Sequence, residues 1–290
     1  MNSVPLTEAS RHLQALARRN AQVYCALSTT QAIILTGSAA EGSSDTLSDI
    51  DMIMYYDTLP SEEVLLMACK QNKGEERRLF GELEQGACLE IYKVQGVECQ
   101  FAHTTVAAWE RDIATVLEQL DVTSPLQKAL AGTLDAIPLY GETLVRMWQA
   151  RIAAYPDALA QAMVKHYLTI VPVWGIQQRL KSRDATLWHY QLLVEASLGI
   201  LGILAALNHL YFSTFQFKRM HHFIGQMKIA PENLAARLEG LFHTDATLAA
   251  MRLEELVQEV ADIVEQHMSD IDLTSLRKSI RWRQSHWQFA

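Results

Sequence analysis

Gln31-Ala32-Ile33-Ile34-Leu35-Thr36-Gly37-Ser38, followed eleven residues after the serine by Asp49-Ile50-Asp51-Met52-Ile53-Met54-Tyr55-Tyr56, is the stretch that decides how the chain folds. The first segment is a short apolar run stopped by glycine, which reads as a strand ending in a turn. The second is a run with apolar residues on both faces beyond its acids, the pattern of a central strand. Side chains alternate along a strand, so Asp49 and Asp51 point the same way while Ile50 and Met52 point into packing. Two neighbouring carboxylates repel unless a proton or a cation compensates them. At neutral pH Mg²⁺ is the natural compensator, because it takes one or two carboxylates and leaves its other positions for water or phosphate oxygens.

Around this stretch the chain divides in two. Residues 7–28 keep a helical apolar period, with Thr7 as N-cap. The small, polar residues 38–45 form a loop with room for one helical turn, and 61–72 reads as a helix. Cys88 to Val94 and Val97 to Ala102 are two strands joined by Gln95-Gly96, a two-residue hairpin signal. Pairing Val94 with Val97 sets Lys93 opposite Glu98 and Glu90 opposite Phe101, so Glu90 and Glu98 lie on opposite faces. Only one of them can join the Asp pair; Gln100 shares the face of Glu98. From about residue 105 no clear strand is visible, and helical periodicity covers 105–120, 124–134, 142–153, 157–181, 187–212, 217–227, 231–242 and 246–268. The expected architecture is α+β: a small mixed sheet with helices over residues 1–105, then an all-α bundle over 106–290.

Bulk properties narrow the function. The formal charge of −8, from 25 basic and 33 acidic residues, argues against a duplex nucleic acid partner. Cys25, Cys69, Cys88 and Cys99 show neither a Cys-x-x-Cys pair nor zinc spacing, and no signal peptide is legible at the N-terminus, so a cytoplasmic protein is expected. The most hydrophobic stretch, Leu192 to Phe212, is interrupted by Glu195 and Asn208-His209. Its uninterrupted part falls short of the roughly 20 residues that span a bilayer, so it reads as a buried helix and no membrane partner is expected. The basic and aromatic C-terminal segment, Arg277 to Arg283 with Trp287 and Phe289, reads as a docked amphipathic tail.

The chemistry that this constellation suits is nucleotidyl transfer. A divalent ion must bridge a triphosphate, and charge building on the α-phosphorus oxygens and on pyrophosphate must be neutralised. Asp49 and Asp51 supply metal ligands and a catalytic pair. The bend at Gly37-Ser38 offers backbone N–H groups and a hydroxyl to phosphate, glycine permitting the close approach. Ser48 and Asp45 read as turn residues.

Gly37-Ser38, the spacing that follows, and Asp49-Ile50-Asp51 resemble the nucleotidyltransferase superfamily that includes DNA polymerase beta and the aminoglycoside and lincosamide nucleotidyltransferases. The resemblance is specific only over the N-terminal 105 residues. It implies that Glu98, in Gly96-Val97-Glu98-Cys99-Gln100-Phe101, is the third catalytic acid, with Glu90 its competitor. Pro138-Leu139-Tyr140-Gly141-Glu142 and Leu207-Asn208-His209-Leu210-Tyr211 are similar to helical-domain features of relatives. On that likeness Lys218, Asn208 and Tyr211 join Gly37 and Ser38 as nucleotide-binding residues. The resemblance further implies Mg²⁺, two ions, with ATP as donor and AMP moved to a hydroxyl of an aminoglycoside-like small molecule. AMP transfer to a protein hydroxyl, and a nucleotide-binding regulatory or toxin–antitoxin-type module without turnover, are the alternatives.

Overall fold

The computed structural model describes residues 6–81, 86–123 and 125–285; Trp287 and Phe289 lie outside them. It is an α+β chain that separates into two compact units, residues 1–119 with 129–154, and 120–128 with 155–290.

The first unit begins with α1 (Glu8–Cys25), whose start is fixed by the Thr7 side chain accepting from the Ser10 N–H. Then come β1 (Thr30–Thr36), the single turn α2 (Gly37–Glu41), β2 (Ile50–Tyr56) and α3 (Glu62–Gln71), capped by Ser61. β3 (Glu75–Phe80), β4 (Ala87–Val94) and β5 (Val97–Thr105) follow, then α4 (Val106–Leu117), α5 (Leu126–Leu134), β6 (Ile137–Tyr140) and α6 (Glu142–Ala153). The strands form one six-stranded sheet in the order β3-β4-β5-β2-β1-β6. The hairpin register is the expected one, Lys93 with Glu98 and Glu90 with Phe101. β2 and β5 are parallel, and this pairing sets Asp51 beside Gln100.

Two strands were not legible in the sequence. β3, Glu-Glu-Arg-Arg-Leu-Phe, is a charged edge strand with Glu76 at φ 54° and a register shift between Glu75 and Arg78. Charge and a bulge at an edge discourage pairing with another chain, and they also erase the apolar alternation that marks a strand. β6 is four residues long and contains Pro138; it lies at the opposite edge, antiparallel to β1, where a proline costs no interior ladder bond. The segment Pro138 to Glu142 therefore completes the sheet and opens α6, rather than belonging to the helical half. Gly141, at φ 65°, has the Gln31 carbonyl oxygen 2.1 Å from where a Cβ would sit, so α6 starts tight against β1.

The two faces of the sheet have different fates. α1 and α3 cover one of them, where Leu13, Leu16, Leu65 and Ala68 pack on Ile33, Leu35, Met52 and Phe101. On the other face α4 and α6 cover the far end, with the Trp109 and Trp148 rings 5.8 and 4.6 Å from that of Tyr55. The end of that face bearing Asp51 and Gln100 is only half-buried.

The second unit is helical: α7 (Asp157–Tyr167), α8 (Val173–Lys181), α9 (Thr186–Leu207), a 3₁₀ turn Thr214–Arg219, α10 (Met220–Ile224), α11 (Leu234–Gly240), α12 (Ala246–His267) and α13 (Thr274–Arg281). The expected single helix over 157–181 is two, because Pro172 cannot continue the helical ladder and holds Val171 out of the helical region. α9 is long and apolar enough, by length and composition, to cross a membrane, yet most of it is buried inside this unit. Gly202 lets α9 close on the Tyr167 ring, which lies 2.3 Å from the position a Cβ would take. The C-terminal segment is docked. Leu276 and Ile280 are buried, Trp174 Nε1 donates to the Ile280 carbonyl at 3.0 Å, and the Trp282 ring covers Gly175.

Candidate active site

The site is built from the end of β1 and the start of β2. Antiparallel pairing sets Thr36 directly beside Asp51. One residue on, Gly37 turns into the left-handed region at φ 66°, which glycine enters without steric penalty. An added Cβ there would lie 2.6 Å from Asp51 Oδ2. The bend and the second aspartate are thus in contact, and only the absence of a side chain at 37 makes room for that carboxylate. Asp49, immediately before β2, accepts through Oδ2 from Gln100 Nε2 at 2.9 Å. Because Gln100 is also the parallel-strand partner of Asp51, the amide borders both acids on one face of the sheet.

The loop after the bend is held from α1. The Ser43 N–H donates to the Ser38 carbonyl at 3.1 Å and the Thr7 N–H to the Gly42 carbonyl at 3.3 Å. Gln14 Nε2 donates to the Ala39 carbonyl at 2.8 Å, and the buried Ser44 donates its N–H to Ser10 Oγ at 2.9 Å. The Ser44 hydroxyl donates to Ser38 Oγ at 3.1 Å, which leaves the Ser38 proton to be directed elsewhere. Asp45 and Ser48 close the turn before β2: Asp45 Oδ1 accepts from the Leu47 N–H at 2.9 Å and from Ser48 Oγ at 3.0 Å.

Both candidate third acids have partners. Glu90 is fully buried on the α1 face, away from the Asp pair, in contact with Arg77 Nε and accepting from the Tyr24 hydroxyl at 3.0 Å. Glu98 lies on the Asp49–Asp51 face, but Arg78 Nη2 binds its carboxylate at 3.1 Å. The side chain that reaches the pair is Gln100, two residues further along β5. Its signal was present in the hairpin register, and only the pairing of β5 with β2 turns that register into proximity.

Lys218, Asn208 and Tyr211 belong to the second unit. Asn208 ends α9 and its amide is fully used there. Nδ2 donates to the Leu204 and Ile229 carbonyls at 2.7 and 2.8 Å, while Oδ1 accepts from the Lys228 and Ile229 N–H groups at 2.7 and 2.9 Å. Tyr211 is buried with its ring 5.0 Å from that of Tyr155, and burial raises its hydroxyl above the ordinary tyrosine range. The Lys218 ammonium is 5.3 Å from the centroid of the Phe215 ring, over which Lys128 also sits at 3.6 Å.

Two adjacent carboxylates beside a bend with no side chain form an all-oxygen donor set that fits Mg²⁺ completed by phosphate oxygens. Among the described residues no group of three or more His, Cys, Asp and Glu side chains is arranged to hold a metal by itself. The contact between Gly37 and Asp51 has a direct consequence. In Gly37→Ala the movable carboxylate, rather than the backbone, yields to the new methyl. Left-handed strain costs about 1–2 kcal/mol, so the variant should fold with its melting temperature lowered by about 5 °C.

No family model and no curated protein matches the sequence. Among solved structures, the chain is similar to a nucleotidyltransferase-like protein from Exiguobacterium sibiricum 255-15, with TM-score 0.38 and 12% identity over 93% of this chain and 88% of that one. It is also similar to the Thermotoga maritima CCA-adding enzyme, solved with tRNA_CCA, with TM-score 0.27 and 12% identity over 98% of this chain and 80% of that one.

Proposed function

We propose that this chain is a Mg²⁺-dependent nucleotidyltransferase that moves a nucleoside monophosphate, AMP from ATP, to a hydroxyl of a small, polyhydroxylated molecule of the aminoglycoside kind. The observation that carries this reading is the convergence of a side-chain-free bend on the second of two paired aspartates, with Gly37 against Asp51 and Asp49 alongside through Gln100. When bound, a divalent ion supplies neutralisation of the polyphosphate and of the charge that grows on it during transfer.

The chain's own residues have separate tasks. Asp49 and Asp51 offer the carboxylate oxygens that hold the ion. The bend at Gly37-Ser38 admits phosphate to the backbone, and the Ser38 hydroxyl, already accepting from Ser44, donates to a phosphate oxygen. The acceptor oxygen forms a bond to the α-phosphorus as the bond from that phosphorus to the bridging oxygen breaks. The electron pair leaves with pyrophosphate, and the hydroxyl proton passes to solvent.

The test is pyrophosphate release from each of the four nucleoside triphosphates against pooled hydroxylated antibiotics and metabolites, with Mg²⁺ and with chelator. Release with ATP and one pool, abolished by chelator, is the expected result. Nucleotide binding without release from any pool would overturn the small-molecule reading, and a mass shift on a protein would redirect it to protein modification. Because Gln100 rather than Glu98 is the β5 side chain beside the two aspartates, Glu98→Gln is expected to keep transfer within about threefold of the parent, a change of roughly 0.7 kcal/mol in the barrier. The released pyrophosphate per minute measures it.

A further inference from the structure

On the open face of β2 and β5, Asp49 and Asp51 lie beside the Gln100 amide. We infer that Gln100 stands in the third ligand place of the cluster as a neutral positioning residue, so that the site holds a single divalent ion with its nucleotide; this rests on the function proposed above.

The ionised Asp49 is an acceptor only, so the Gln100 group that faces it at 2.9 Å is the amide N–H and not the amide oxygen. A donor hydrogen in that place repels a cation. It also satisfies one lone pair of Asp49 and fixes the rotamer in which the other oxygen can bind metal. β5 contributes one carboxylate in all, Glu98, and Arg78 binds it at 3.1 Å. Two divalent ions about 3.5–4 Å apart need shared carboxylates to offset their mutual repulsion. The formal charge that Asp49 and Asp51 bring balances one such ion, and the nucleotide phosphates complete its coordination. The two ions that the family resemblance implies are therefore reduced to one in this chain.

The count of Mn²⁺ ions at the site in crystals grown with a non-hydrolysable ATP analogue, read from the anomalous scattering of the metal, decides it. The parent should bind about one ion per chain and Gln100→Glu about two. A merely structural role for Gln100 would leave that count unchanged. Two ions in the parent would overturn the inference and leave the function standing, and so would one ion in a folded Gln100→Glu. Failure of the parent to bind any Mn²⁺ with the analogue would overturn the inference together with the function, and Asp49→Asn and Asp51→Asn set that zero.

Discussion

Asp49→Asn and Asp51→Asn should each reduce pyrophosphate release at least about 10³-fold while leaving the chain folded, the size expected when a charge-stabilising group at the reacting phosphate is lost. An asparagine keeps the shape of the side chain. In Asp49→Asn its carbonyl oxygen still accepts from Gln100, so the hydrogen bond survives and only the negative charge is removed. The melting temperature of either variant in chelator should stay within a few degrees of that of the parent, since each substitution keeps the side chain's shape. Added Mg²⁺ with nucleotide should raise the parent's melting temperature and leave the variants unchanged. Parent-like turnover in both variants would remove the assignment; lost activity together with a collapsed melting temperature would show that the acids are structural.

The second large effect lies on the opposite face of the same sheet. Glu90 is fully buried, in contact with Arg77, 3.0 Å from the Tyr24 hydroxyl and 3.5 Å from His103 Nε2. The network runs on through Tyr92, 3.0 Å from Tyr24, to Asn72, and through His103 Nδ1 to the Tyr56 hydroxyl at 3.0 Å. Removing one partner of a buried pair strands the other, so Glu90→Ala should destabilise the first unit by about 3–5 kcal/mol. That is a fall of roughly 10 °C in melting temperature. Glu90→Gln, which keeps an acceptor for Tyr24 but no charge for Arg77, should fall between the two.

Acid should act in two stages. Burial disfavours the charged Glu90, but the His103 ring and the Arg77 guanidinium beside it outweigh that and hold the carboxyl below its ordinary range. Its contribution is complete above the unfolded value of about 4.3 and is lost as the pH falls through the lower folded value. Burial holds His103 below its usual value despite Glu90 beside it. Stability from keeping it neutral is complete above about pH 6.5 and declines as the pH drops below that. Urea melts from pH 7 down to 3 should show both stages in the parent and a shallower lower stage in Glu90→Ala, where Glu76, Asp245 and Asp272 still contribute. Equal slopes at low pH would show that Glu90 is not the group responsible.

How much of this was readable in advance varies with the physics involved. The α+β class, the hairpin register around Gln95-Gly96 and the extent of most helices follow from local periodicity and turn chemistry, which one segment carries by itself. β3 and β6 do not. Each is an edge strand whose charges or proline suppress the pattern, and each is specified by the strand it joins. The 157–181 helix breaks at a proline that the apolar period around it concealed. At the site, the proximity of Gly37 to Asp51 is local, following from the antiparallel pairing of consecutive strands. That of Gln100 is not, since it depends on a parallel pairing of strands some forty residues apart in the chain. Asn208 shows the converse. A polar residue in an apolar run invites a functional reading, and the structure spends its whole amide on tying two backbone segments together.

The placement of β6 also governs how the chain can be divided. The first unit leaves the sheet after β5 and returns some thirty residues later to lay Ile137–Tyr140 along the outer side of β1. A fragment cut at residue 119 would contain both aspartates and the bend, and would still bare the backbone of the strand that leads into Gly37. That exposed ladder is an invitation to self-association. The shortest piece able to present the acids in isolation therefore has to run through α6, carrying the excursion at 120–128 with it.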